Sequence, residues 1–206
     1  MISRVALVGA SNLVSFERQP WETCTCKEPC KIRSHSPQVP TDIVYKSFAM
    51  GGARFEHPNN EKDARKLFED ALTFSPHTVV MYHDVVMNSL TLPPHAPPNC
   101  QTLTPPEVIE HLKKLQRNCP GRFVVVLVRR KKEDAYKLPP GTNRKKGDKP
   151  RLFENNLDKQ MNDLIKTQFE FFDLKLSNAS FKMNDPAHQT VDSMKMSVGK
   201  IVKFYG

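Results

Sequence analysis

Residues 5–16, Val5-Ala6-Leu7-Val8-Gly9-Ala10-Ser11-Asn12-Leu13-Val14-Ser15-Phe16, form an apolar run that breaks into Gly-Ala-Ser-Asn and then turns apolar again. Consecutive apolar residues that stop at small, turn-permitting ones mark a buried strand with an abrupt end. Arg4–Val8 reads as the first strand, and Ser11 stands just beyond its tip. Its hydroxyl is either a nucleophile held at the carboxyl edge of a sheet or the polar end of a tight turn.

Outward from this stretch, strands and helices alternate. Ile43–Ala49 reads as a second strand that ends at Gly51-Gly52. Glu61–Phe74 follows as a helix, because Ala64, Leu67, Phe68, Ala71 and Leu72 recur at helical spacing. Thr78–Tyr82 is a short strand that runs into His83-Asp84, and Phe123–Val128 is an all-apolar buried strand. Between them, Thr104-Pro105-Pro106-Glu107 joins an N-cap threonine to a proline at the first helical position and a glutamate three residues on. That signature predicts a helix from Pro105 to about Arg117. Phe153, Leu157, Met161, Leu164 and Ile165 mark another amphipathic helix, Glu170–Leu174 a last strand, and Ser193–Phe204 a closing helix. Gln19–Pro40 and Pro93–Pro98 read as loops.

This alternation predicts an α/β fold in which a parallel sheet is covered on both faces. Sites in such sheets gather where loops leave the carboxyl ends of the strands. Ser11, Gly51-Gly52, His83-Asp84 and the segment after Val128 all follow predicted strands and should share one edge.

At 206 residues the chain suits one domain, 1–206. Seventeen prolines against eight glycines favour stiff loops. No apolar run is long enough to span a bilayer, so no membrane span is expected. Arg4 lies inside the first apolar stretch and no Ala-x-Ala site follows, which favours a strand over a signal peptide. The five cysteines are an odd number, and Cys24 and Cys26 are too close for an easy mutual disulfide. A reducing, intracellular setting, cytoplasmic or nuclear, is expected. Cys24, Cys26, Cys30 and His35 make four candidate ligands, but their spacing is not a common zinc pattern. Unpaired loop thiols, with no metal, are the default.

The net charge of +9 is concentrated. Between Arg129 and Arg151 stand ten Lys or Arg against Glu133, Asp134 and Asp148, about +7 of the total. This basic loop, 129–151, is either a solvated surface loop or a seat for RNA or another polyanion, with Arg129, Arg130, Lys131, Lys132, Arg144, Lys145 and Lys146 as the cations. Tyr136 is the one aromatic ring inside it, so phosphate contact rather than base stacking is the expected mode.

Asn184-Asp185-Pro186-Ala187-His188 precedes the closing helix. An Asp three residues ahead of a His can fix the imidazole tautomer, and the imidazole can take a proton from a hydroxyl such as that of Ser11. Alone, the same pair would also serve as an ordinary cluster at a helix N-terminus.

In this order the blocks resemble the SGNH, or GDSL-type, hydrolase superfamily. Gly9-Ala10-Ser11 is similar to its first block, Gly51 or Gly52 to its second, Tyr82-x-Asp84 to its third and Asp185-x-x-His188 to its last. The resemblance implies a flavodoxin-like three-layer sandwich with a central parallel sheet and a Ser11–His188–Asp185 triad. It also implies an oxyanion hole made by the Ser11 N–H, a Gly51 or Gly52 N–H and His83. No cofactor is implied, and the substrate class is a small acyl ester. Two blocks depart from the pattern: Ala10 stands where the superfamily has Asp, and His83 where it has Asn. His83-Asp84 equally reads as a structural pair that ties two loops together. The chain is distantly similar to retrotransposon-encoded esterase domains and to the Oskar C-terminal domain, an SGNH fold turned to RNA binding. A catalytically inactive module that holds a polyanion on its basic edge is therefore the second reading.

Overall fold

In the computed structural model, which describes residues 2–11, 13, 40–92, 99–128, 155–174 and 191–206, five strands build one sheet. They are β1 (Ser3–Gly9), β2 (Ile43–Ala49), β3 (Thr78–Met81), β4 (Arg122–Val126) and β5 (Glu170–Phe172). All neighbours pair in parallel, in the order β2-β1-β3-β4-β5, which is the flavodoxin-like doubly wound order. Gly9 pairs with Ala49, Val8 with Met81 and Met81 with Val125, so the strand tips line up along one carboxyl edge.

Side chains alternate across this sheet and divide the core in two. Ala6, Val8, Val79, Met81, Phe123 and Val125 face one side. There they meet Leu67 and Phe68 of α1 (Ala64–Leu72), Val85 and Val86 of α2 (His83–Leu90), Leu112 of α3 (Pro105–Asn118), and Met161 and Ile165 of α4 (Asn155–Gln168). Val5, Leu7, Val80, Val124 and Val126 face the other side, against Leu13 and the Met194, Val198, Ile201 and Val202 stripe of α5 (Val191–Tyr205). Both faces of β1 and β3 are thus dry, which is why these strands read as unbroken apolar runs rather than as alternating ones. Each aliphatic side chain so enclosed contributes about 1.5–3 kcal/mol. The Tyr82 hydroxyl donates to Met194 Sδ at 3.4 Å, and Gly206 packs against Ile43, so α5 starts at the carboxyl edge and ends at the opposite one. Among the described residues, no helix is long and apolar enough to cross a membrane.

Three local expectations are corrected. The helix expected over Glu61–Phe74 is a 3-10 turn at Asn60–Lys62 followed by α1. Asp63 separates them with extended dihedrals, and its Oδ1 accepts the Arg65 N–H at 2.8 Å. An aspartate whose carboxylate can take a free helix N–H is a preferred N-cap and starts a new helix here. The strand expected to reach Tyr82 stops at Met81, because Tyr82 caps α2, an element absent from the sequence reading. The strand expected to reach Val128 stops at Val126, although the Leu127 N–H still donates to Phe172 O at 3.0 Å. The loops expected at 19–40 and 93–98 lie outside the described residues, save Pro40.

The Pro-Pro-Glu signal is realised in α3. The Thr104 N–H and its hydroxyl both donate to Glu107 Oε2, each at 2.7 Å. These two donors, the backbone one foremost, hold the Glu107 carboxyl below its usual value of 4.5. A carboxyl that is lowered in the folded state adds stability above its unfolded pKa and loses it as pH falls through the lowered value. Glu107→Gln should therefore be less stable than the parent near neutral pH, and the gap should close on acidification below pH 4.5. Thermal melts of both proteins down an acid series read this directly.

Candidate functional site

In the order 2-1-3-4-5, β1 and β3 lie side by side where the strand order reverses, the place at which such sheets gather their sites. Gly9-Ala10-Ser11 lies at the tip of β1, and Tyr82-His83-Asp84 at the tip of β3. The two are bonded together. The Ala10 N–H donates to Asp84 Oδ1 at 2.9 Å in a buried contact, and the Tyr82 N–H donates to Val8 O at 2.7 Å. The chain turns helical at Ser11, with the Leu13 N–H on Ala10 O at 3.0 Å, and leaves Ser11 half-buried. Gly9 makes the approach feasible: a Cβ there would fall 2.4 Å from Leu13 Cδ1 and 3.3 Å from Asp84 Oδ1.

His83 opens α2 and is 2% exposed. Its ring lies against Tyr82, with centroids 4.5 Å apart, and Nδ1 is 3.1 Å from Met87 Sδ one helical turn on. Gly51 and Gly52 are exposed in a turn closed by the Ala53 N–H on Met50 O at 3.0 Å. Gly52 takes φ +78, the left-handed region where a Cβ is penalised. Beyond this turn the chain is tied to α2: Asn88 Nδ2 donates to Ala53 O at 3.0 Å, and the Phe55 N–H to Ser89 Oγ at 3.0 Å. The Asn88 amide thus holds the glycine turn to α2.

Ser11, Gly51, Gly52 and His83 therefore share the carboxyl edge, as the sequence pattern predicts. Asp185 and His188 lie outside the described residues. The chain resumes at Val191, at the start of α5 on that same edge. Arg129, Arg130, Lys131, Lys132, Arg144, Lys145 and Lys146 are also outside them, as are Cys24, Cys26, Cys30 and His35. Val128, the residue before the basic loop, is fixed by Asn162, whose amide takes the Val128 N–H at 2.7 Å and donates to its carbonyl at 2.8 Å. Among the described residues, no three His, Cys, Asp or Glu side chains could hold a metal ion.

His83-Asp84, read from the sequence as a pair that could tie two loops together, does so through Asp84, which holds the turn after β1 to the start of α2. One residue at this edge escaped the sequence reading. Arg54 is 1% exposed, with Nη2 bonded to Ser89 O at 3.2 Å and to Gln101 O. Burial pulls its pKa below the usual arginine value, while Cys100 and Glu56 act in the opposite direction. No family model, curated protein or solved structure matches the chain.

Removing the Asp84 carboxylate leaves the Ala10 N–H buried without its acceptor, which costs about 1–3 kcal/mol. Asp84→Ala should lower the denaturant midpoint accordingly. Asp84→Asn keeps an oxygen acceptor and should lose less.

Proposed function

We propose that the chain is an SGNH-type serine ester hydrolase with Ser11 as nucleophile, His188 as general base and acid, and Asp185 as the residue that orients the imidazole. The observation that carries this reading is the Ala10–Asp84 bond between the tips of β1 and β3, which fixes the turn that carries Ser11. The start of α5 on the same edge, three residues after His188, supports it further.

In this chemistry Ser11 Oγ bonds to the ester carbonyl carbon as His188 takes its proton. The tetrahedral oxyanion collapses, the carbon–alcohol bond breaks, and His188 returns the proton to the leaving alcohol. Water then attacks the Ser11 acyl ester by the same proton transfers and releases the acid. The Ser11 N–H, the Gly51 or Gly52 N–H and the His83 side chain are the assigned oxyanion donors. Loss of one such donor costs roughly 2.7–4 kcal/mol of transition-state stabilisation. No metal or organic cofactor takes part in this scheme.

Purified protein should hydrolyse a short-chain aryl acetate, and Ser11→Ala should lower the rate by about three orders of magnitude or more. A fluorophosphonate should label Ser11 and leave the variant unlabelled. Equal rates in both proteins, or none in either, would refute the assignment.

One observation favours a second reading, an inactive module of the same fold that binds RNA or another polyanion. The Asn162 clamp fixes Val128, and about +7 of charge enters the sequence at the next residue. Neutralising Arg129, Arg130, Lys131 and Lys132 together should then weaken RNA binding at every sequence and reduce its salt dependence, as fewer counterions are released. Unchanged affinity and salt slope in a filter-binding titration would exclude this surface.

A further inference from the structure

The tips of β1 and β2 are paired, Gly9 with Ala49, and Ser11 and Gly51 each stand two residues beyond that pair. α2 starts at the tip of β3, on the far side of β1, yet its last turn bonds to the chain beyond β2. The helix therefore crosses the end of β1. Its eight residues rise about 12 Å, which matches the roughly 10 Å of two strand spacings from β3 to β2.

Two side chains of α2, one helical turn apart, join it to the two turns. Asp84 takes the Ala10 N–H at 2.9 Å, and Asn88 Nδ2 donates to Ala53 O at 3.0 Å. The glycine turn has little else to set it. It closes on one backbone bond, from the Ala53 N–H to Met50 O at 3.0 Å. Apart from chain neighbours, nothing lies within 4 Å of a Cβ built on Gly51 or Gly52, so packing does not fix their backbone. Ser89 Oγ holds the chain only at Phe55. Among the described residues, Asn88 makes the side-chain bond nearest the turn.

We propose that Asn88 is a positioning residue for ester hydrolysis: by holding Ala53 it sets the glycine-turn N–H where it meets the oxyanion formed at Ser11. The inference rests on the serine-hydrolase reading and adds to it a residue that touches no substrate atom. An oxyanion donor acts in the transition state alone, so moving it lowers kcat and leaves KM. A displacement of about 1 Å costs roughly a hundredfold in rate. Asn88 is half-buried, whereas Asp84, which anchors the other end, is 3% exposed. Asn88 is therefore the member of the pair that can be altered with less harm to the fold.

The test is steady-state hydrolysis of a short-chain aryl acetate by the full chain, Ser11→Ala and Asn88→Asp, with active sites counted by fluorophosphonate labelling. Asp keeps the shape of Asn and removes the N–H that meets Ala53 O. Per labelled site, Asn88→Asp should lose about a hundredfold in kcat, with KM within about twofold of the parent's. The ratio of parent to variant should shrink on acidification, because the introduced carboxyl, once protonated, has a hydrogen to donate again. A bond that serves stability alone would change the labelled fraction and leave kcat per site at the parent's value. That result would overturn the proposal while the esterase reading stands. A rise in KM alone would overturn it too, and move Asn88 into substrate binding. Equal rates in the parent and Ser11→Ala, or none in either, would overturn the esterase reading and this inference with it. If Asn88→Asp does not fold, Asn88→Gln decides, since it keeps the amide donor on an arm one methylene longer. A loss of about tenfold or more in kcat per site upholds the positioning role, and a parent-like kcat refutes it.

Discussion

The bond from the Ala10 N–H to Asp84 Oδ1 is the constraint on which the carboxyl edge is built. A buried backbone N–H needs an acceptor, and a buried carboxylate needs donors, so each group makes the other tolerable. The bond sets how closely the turn after β1 approaches the end of β3; a Cβ at Gly9 would press on Asp84 Oδ1 at 3.3 Å and overlap the Leu13 side chain at 2.4 Å. It also fixes the first turn of α2. From there Asn88 and Ser89 reach the segment after β2, so one short helix spans the distance between the Ser11 turn and the glycine turn. The edge is held by polar bonds at both ends of α2 and by the apolar packing of Val85 and Val86 between them.

That arrangement explains which elements the sequence discloses. β2 matches its expected limits, Ile43–Ala49, because β-branched and aromatic residues stop at a Met-Gly-Gly break. α3 matches within a residue because its start is written in Thr104, Pro105 and Glu107. α2 carries no such mark. Tyr82 at its N-cap gives no side-chain bond, and adjacent Val85 and Val86 favour strand over helix in isolation. Tertiary bonds through Asp84, Asn88 and Ser89 decide the matter, and these partners lie 34 to 74 residues away in the chain.

The same distinction applies to the site. The sequence order of strand tips placed Ser11, Gly51, Gly52 and His83 on one edge, since a parallel sheet sends every carboxyl end the same way. It could not disclose that Asp84 accepts the Ala10 N–H, because a bond between residues 74 apart leaves no local pattern. Arg54 is hidden for a related reason. A lone arginine between Ala53 and Phe55 looks like any surface charge, and its burial arises only when the α2 carbonyl of Ser89 and the Gln101 carbonyl close around it.

The position of β1 also governs how the chain reaches its native state. β1 comes first in the sequence, yet it lies inside the sheet, between β2 and β3. Its second neighbour, β3, is complete only once synthesis has passed Met81. Until then Val5, Ala6, Leu7 and Val8 have neither both flanking strands nor the α5 that covers one face. Parallel pairings between distant segments form slowly, because loop closure precedes any gain from contact. The stretch that forms the middle of the finished sheet is therefore a sticky, unpaired segment for much of translation, and the nascent chain is most open to aggregation or chaperone capture there.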